Sequence, residues 1–203
     1  MAPGGTAKPQ SNAATAFRRG ARYERMDAGM NQVLQTIFER YSARAFQEKQ
    51  VAQADLELIL QAGIAAPTAM NSQKWLLTAI QNPALLEQMG RAVRQAKQRE
   101  EAYCFYYRAP AAVVVTFPAD YGYARDDGSA AIQNMLLAAR ALGIDSCWVS
   151  QLKETQDDPG VRAFLSECGI PADHRVVGVV SLGYAVQRGA PKTRDRSAYR
   201  MIT

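Results

Sequence analysis

One run of apolar, largely β-branched residues, Ala111-Ala112-Val113-Val114-Val115-Thr116-Phe117, constrains this chain more than any other segment. Successive side chains of a strand point to opposite faces, so a strand without polar alternation needs cover on both sides. A second strong strand is expected over residues 175–184, with Val176 to Val180 as its apolar centre. Shorter strands are expected over residues 75–80 and 146–150. The helices that cover them announce themselves by a different period.

Val33, Leu34, Ile37 and Phe38 form a helical stripe within residues 31–40, and Leu56, Ile59, Leu60 and Ile64 repeat it until Pro67 ends the helix. Asn82-Pro83 reads as a helix N-terminus, with Leu85, Leu86, Met89 and Val93 leading into the charged residues 94–101. Asp126 or Asp127 is the expected cap of a helix over residues 129–142, whose face is Ile132, Met135, Leu136, Ala139 and Leu142, with Gly143 as its left-handed C′ residue. Asp157-Asp158-Pro159 opens another helix that ends at Gly169. Strands mixed with helices at this spacing predict an α+β or α/β sandwich. No G-x-G-x-x-G is present, which argues against a dinucleotide-binding Rossmann unit.

At 203 residues and 48% hydrophobic composition the chain is long enough for one full core, and no apolar run approaches the ~18 residues of a membrane helix. The net charge of +5 is concentrated at the start, where Lys8, Arg18, Arg19, Arg22 and Arg25 face only Glu24 and Asp27. A basic tail on a near-neutral body is not a nucleic-acid footprint, so neither nucleic acid nor membrane is an expected partner. Residues 1–29 lack hydrophobic periodicity, and the Arg18-Arg19 pair has no apolar region after it. They read as a disordered extension or an over-long start, with Met26 or Met30 as the true beginning; composition alone also allows a transit peptide. Residues 30–203 are the expected folded domain. Cys104, Cys147 and Cys168 are odd in number and widely spaced, which favours free thiols and a reducing, cytoplasmic setting. His174 is the only histidine and reads as a loop residue before a strand, so no metal set and no Ser-His-Asp machinery is expected.

Three polar clusters remain. Arg40-Tyr41-Ser42-Ala43-Arg44 follows the first helix, Pro67-Thr68-Ala69-Met70-Asn71-Ser72-Gln73 follows the second, and Pro191-Lys192-Thr193-Arg194 lies near the end. In extended backbone Arg40, Ser42 and Arg44 share one side, and in a helix Arg40 and Arg44 do. Two separated cation pairs with a hydroxyl suit a phosphate dianion. Charge-assisted hydrogen bonds contribute roughly 1.5–3 kcal/mol each, so three or four would reach micromolar affinity, about −8 kcal/mol. The amide-rich loop suits a polar heterocycle.

In order and spacing these clusters resemble the nitroreductase family of FMN-dependent oxidoreductases, from about residue 31 to residue 194. The resemblance rests on R-x-S-x-R at Arg40, Ser42 and Arg44, and on P-[ST]-x-x-N-x-Q at Pro67, Thr68, Asn71 and Gln73. It extends to a helix pattern over residues 126–143 that includes Gln133, Asn134, Ala138 and Ala139, and to P-K-x-R with Lys192 and Arg194. It implies a three-layer α/β/α sandwich around a mostly antiparallel sheet, in a homodimer with shared flavin sites. It further implies tightly bound FMN, NADH or NADPH as reductant, and ping-pong reduction of nitroaromatics, quinones or similar small electron-poor acceptors. By the same resemblance Arg40, Tyr41, Ser42, Arg44, Lys192 and Arg194 contact phosphate. Pro67, Thr68, Ala69, Met70, Asn71 and Gln73 line the ribityl chain and ring, and Trp148, Val149, Ser150 and Gln151 pass beside flavin N5 and O4. No side chain is assigned as catalytic acid or base, and Tyr121 and Tyr123 are lid candidates. Thr68 stands where Ser is commoner, Tyr41 where Arg or His is frequent, and Ser150-Gln151 where some members carry Glu-Gly. Enone reduction, dehalogenation or flavin destruction on the same scaffold, or flavin binding without turnover, are the alternatives.

Overall fold

The computed structural model describes residues 31–190, 194–195 and 197–202. Expectations for residues 1–29 and for Lys192 lie outside these. The chain divides into two compact units between Gln35 and Thr36. Among described residues, the first unit contributes only the opening of helix α1 (Gln32–Glu39). No side chain of α1 is buried, and its apolar stripe lies open, with Phe38 51% exposed.

In the second unit the described elements run α2 (Gln53–Ile64), β1 (Leu76–Ile80), α3 (Pro83–Ala96), β2 (Ala111–Pro118), α4 (Ala124–Ala141), β3 (Asp145–Val149), α5 (Gln151–Glu154), α6 (Pro159–Glu167) and β4 (His174–Gly183). The four strands form one sheet in the order β1-β2-β4-β3, every pair antiparallel. Both apolar runs lie at its centre, and every β2 residue from Ala111 to Phe117 is buried. Val113, Val115 and Phe117 pack against Leu56 and Ile59 of α2 and Ile132, Met135 and Leu136 of α4. Ala112 and Val114 face the other way, against Leu86, Met89 and Val93 of α3 and Phe164 and Leu165 of α6. The result is the expected α+β sandwich of three layers.

Local chemistry sets the element ends. Asn82 caps α3 by accepting from the N–H groups of Ala84 (2.9 Å) and Leu85 (3.4 Å), with Pro83 following as the first helical residue. Asp158 does the same for α6, accepting from Gly160 N at 2.8 Å. Gly143 ends α4 at φ +75°, as its place in the sequence requires. A bulge opens the β2–β4 ladder beside Val115 and Thr116, where Gly178 pairs with Val115 and Val176 with Thr116. Any Cβ on Gly178 would fall 2.3 Å from Trp148 Nε1, so this glycine is what allows the indole to lie on the sheet.

Three expectations are corrected. Helix α4 starts at Ala124, five residues before the expected 129, and neither Asp126 nor Asp127 caps it. Its N-cap is Tyr123, without a side-chain hydrogen bond, while Asp127 sits in the first turn and is buried. His174 is the first residue of β4, not a loop residue, and its Nδ1 lies 3.1 Å from the buried Thr116 hydroxyl. Among described residues no helix is long and apolar enough to cross a membrane.

Candidate functional site

Past α1 the backbone is extended. Ser42 forms a parallel bridge with Ser146 of β3, and Ala43 N donates to Ser146 O at 3.0 Å. This prolongs the sheet beyond β3 at Ser42; Arg40, whose N–H still closes the last turn of α1, Ser42 and Arg44 all act on Cys147 of β3, so the three form one row at this edge. Ala43 is buried. The Tyr41 ring lies against Gly189, where a Cβ would approach it to 2.7 Å. Burial raises the pKa of the Tyr41 phenol, and so does the nearby Asp145 carboxylate; among described residues its buried hydroxyl makes no hydrogen bond of good geometry.

The cationic row is under-neutralised. Burial lowers the pKa of the Arg40 guanidinium, and the charge of Arg194 lowers it further, so those two cations sense each other. Among described residues Arg44 donates to the Ser42 carbonyl, at 3.5 Å. Among described residues no carboxylate forms an ion pair with Arg40, Arg44 or Arg194; the neighbouring Glu39 binds Arg140 of α4 at 2.6 Å. Beneath the row, burial pushes the Cys147 thiol up, against the pull of Arg44, the Ser42 hydroxyl and Arg40. Cations gathered without a matching acid among described residues are an arrangement suited to an anion.

The second cluster follows α2. Thr68 leads into a 3-10 turn, Ala69–Asn71, in which Met70 (φ 54°) and Asn71 (φ 52°) are left-handed, as is Gln73 (φ 48°). None is glycine, and such geometry costs roughly 1–2 kcal/mol per residue. A local network offsets it. Ala69 N donates to both oxygens of Asp127, at 3.1 and 3.2 Å, and Tyr121 Oη donates to Asp127 Oδ2 at 2.6 Å. The Ser72 hydroxyl bonds Tyr121 Oη in turn, and Gln73 N donates to Thr68 Oγ1 at 3.2 Å. Gln73 Nε2 donates to Asn71 Oδ1 at 3.0 Å. Among described residues that leaves Asn71 Nδ2 and Gln73 Oε1 as a donor and an acceptor without a hydrogen bond, on exposed residues. Met70 is 84% exposed at the tip, and Pro67 precedes the turn on the surface.

Tyr121 is therefore no lid: it is buried and stacks on Phe117 with ring centres 5.7 Å apart. Tyr123 is half exposed and meets Tyr121 edge-on. Asp127 and Tyr121 are the residues that sequence reasoning missed as partners of the loop. The available signal was an acidic residue close before an apolar helical stripe, which reads as a cap.

At the end of β3, Val149 is buried whereas Trp148 is 39% exposed, its indole beside Gly178. Ser150 N donates to Gln151 Oε1 at 3.2 Å as the chain turns into α5. The cationic row and the β3 strand are thus brought together. The loop is not joined to them: among described residues no hydrogen bond or ion pair links residues 67–73 to residues 40–44. The loop is tethered to Asp127 in the first turn of α4, and the row is tethered through Glu39 to Arg140 in the last. Thirteen residues of helix separate these anchors, a rise of about 20 Å.

The chain is similar to known proteins in sequence and fold. The model of the Nitroreductase family matches residues 37–184. A protein of Archaeoglobus fulgidus with the provisional name NADH dehydrogenase/NAD(P)H nitroreductase is 35% identical over 76% of this chain and 86% of its own. The crystal structure of a nitroreductase with bound FMN from Bacteroides fragilis superposes with a TM-score of 0.83 at 38% identity, over 86% of this chain and 100% of that one. An FMN-bound nitroreductase from Desulfitobacterium hafniense gives 0.80 at 26% identity, over the same shares. With the family model spanning most of the chain and a relative this similar over three quarters of it, the chain belongs to the nitroreductase family.

Proposed function

We propose that this chain is an FMN-dependent NAD(P)H oxidoreductase that reduces small electron-poor acceptors, nitroaromatics and quinones among them, in a ping-pong cycle. The observation that carries the reading is the row of Arg40, Ser42 and Arg44 with Arg194 beside it. These cations have no carboxylate partner among described residues, in a chain 38% identical to an FMN-bound nitroreductase. A phosphate dianion supplies the missing charge. When bound, FMN supplies the redox chemistry, taking hydride from reduced nicotinamide and passing electrons to the acceptor.

The chain's own residues then bind and orient. Arg40, Ser42 and Arg44, with Arg194 and Lys192, hold the phosphate at the sheet edge. The Asn71 donor and Gln73 acceptor meet the complementary edge of the flavin ring, with Pro67, Thr68, Ala69 and Met70 along its flank. Trp148, Val149, Ser150 and Gln151 border the ring and limit water there. Tyr41 braces the row from behind. None of these side chains is assigned as an acid or base.

Residues 30–203 form the proposed FMN-binding domain, acting as a homodimer with shared flavin sites. Two features support sharing. The loop and the cationic row are anchored about 20 Å apart along α4 within one chain. Large apolar side chains also remain in water, with Ile37 41%, Phe38 51% and Ile64 52% exposed. The three free cysteines agree with a reducing, cytoplasmic setting.

The test is the Arg40→Ala, Arg44→Ala double variant. It should fold yet bind FMN at least about 100-fold more weakly, two charge-assisted contacts being lost. Unchanged FMN affinity would refute the phosphate assignment.

A further inference from the structure

The loop that displays Asn71 and Gln73 is held from below by residues to which no function is yet attached. Asp127 is buried, 6% exposed, in a turn of α4 that lies 58 residues from Ala69 in sequence. Three contacts converge on its carboxylate: the Ala69 N–H on each oxygen, and the Tyr121 hydroxyl on Oδ2 at 2.6 Å. A carboxylate only accepts and a phenol has one proton, so the sense of the chain is fixed. Tyr121 donates to Asp127, and the Ser72 hydroxyl, its partner, donates to Tyr121. The relay thus grips both ends of the turn, at Ala69 and at Ser72, and between those ends lie the left-handed Met70 and Asn71. The Tyr121 ring is itself fixed by its stack on Phe117 of β2. The turn is therefore referenced to the sheet and not to solvent.

Without this grip the local preference of Met70 and Asn71 is a right-handed or extended backbone. The two amides would then lose their common direction. A ligand would have to reorder the turn on binding, which weakens its affinity.

We propose that Asp127 and Tyr121 are positioning residues for the cofactor, the Ser72–Tyr121–Asp127–Ala69 relay pre-forming the turn that presents Asn71 and Gln73 to the flavin ring. This rests on the FMN reading above. It assigns the relay to the ring half of the ligand, in contrast to the arginine row, which serves the phosphate.

Apo-protein is titrated with FMN and, separately, with riboflavin, following flavin fluorescence, for wild type, Tyr121→Phe, Asp127→Asn and Arg40→Ala. Thermal unfolding of each apo-protein is recorded alongside. Tyr121→Phe keeps the ring and its stack and removes only the hydroxyl. Both relay variants are expected to weaken FMN and riboflavin by the same factor, about tenfold or more. Arg40→Ala should weaken FMN alone. If Asp127→Asn fails to fold, Tyr121→Phe still decides the matter. Relay variants that unfold earlier yet bind both flavins as wild type does would overturn the proposal, leaving the relay a purely structural role. A loss confined to FMN would overturn it as well. Wild type that binds neither flavin would refute the cofactor reading and this proposal with it, an outcome distinct from the others.

Discussion

Cys147 shows how one residue couples the core to the cationic row. Its thiol is buried in β3, directly under Arg40, Ser42 and Arg44, and burial outweighs the pull of those cations so that its pKa is raised. A raised folded-state pKa means the folded protein holds the proton more tightly than the unfolded chain. That contribution is complete below the ordinary thiol value of about 8.5 and is lost as pH rises through the folded value. Apo-protein should therefore lose stability to denaturant between pH 8 and pH 10. Cys147→Ala should lose less, by up to about 1.4 kcal/mol per pH unit. Parallel pH curves for the two proteins would show that the thiol is not held neutral. Tyr41 and Tyr121, both also raised, add alkaline loss of the same sign in each protein.

At the scale of elements, Asn82 gives the cleanest case of sequence dictating structure. Its carboxamide oxygen takes two otherwise free N–H groups at the start of α3. Asn82→Ala should cost about 1 kcal/mol of stability, with FMN affinity unchanged because α3 lies on the sheet face away from α2 and α4. A loss of FMN affinity in that variant would contradict this division of labour. The central strands were legible for a similar reason: Val113, Val114 and Val115 have no polar alternation, and only a doubly covered strand accommodates that. The beginning of α4 was not legible. Its first turn, Ala124 to Asp127, carries no apolar periodicity, and the burial of Asp127 depends on Ala69 and Tyr121, partners outside its own helix. The arginine cluster was readable because Arg40 and Arg44 share a side in either helical or extended backbone, and extended backbone adds Ser42 to them. The left-handed turn at Met70, Asn71 and Gln73 was hidden, since no glycine marks it. Tyr121 was misread as a lid because a tyrosine beside two glycine-sized or acidic neighbours resembles a surface residue until its stack on Phe117 is seen.

At the scale of the whole molecule, the separation of loop and row along α4 makes a prediction about assembly. The protein should sediment as a dimer, and a variant of the row should be rescued by a variant of the loop. Arg40→Ala, Arg44→Ala protein mixed with Asn71→Ala, Gln73→Ala protein, unfolded and refolded together, forms mixed dimers as about half of the total. Each would carry one intact site, for about a quarter of wild-type FMN occupancy. No recovery beyond the sum of the separate variants would mean that each site is built within one chain. The most direct measurement of the central claim is simpler. Purified protein is examined by visible absorbance, then titrated anaerobically with NADH and with NADPH. Flavin bands that are present and bleach with about one equivalent of reductant, then return when a quinone or nitroaromatic is added, are the expected result. A colourless protein that takes up no added FMN, or a flavin that neither nucleotide bleaches faster than free FMN, would contradict it.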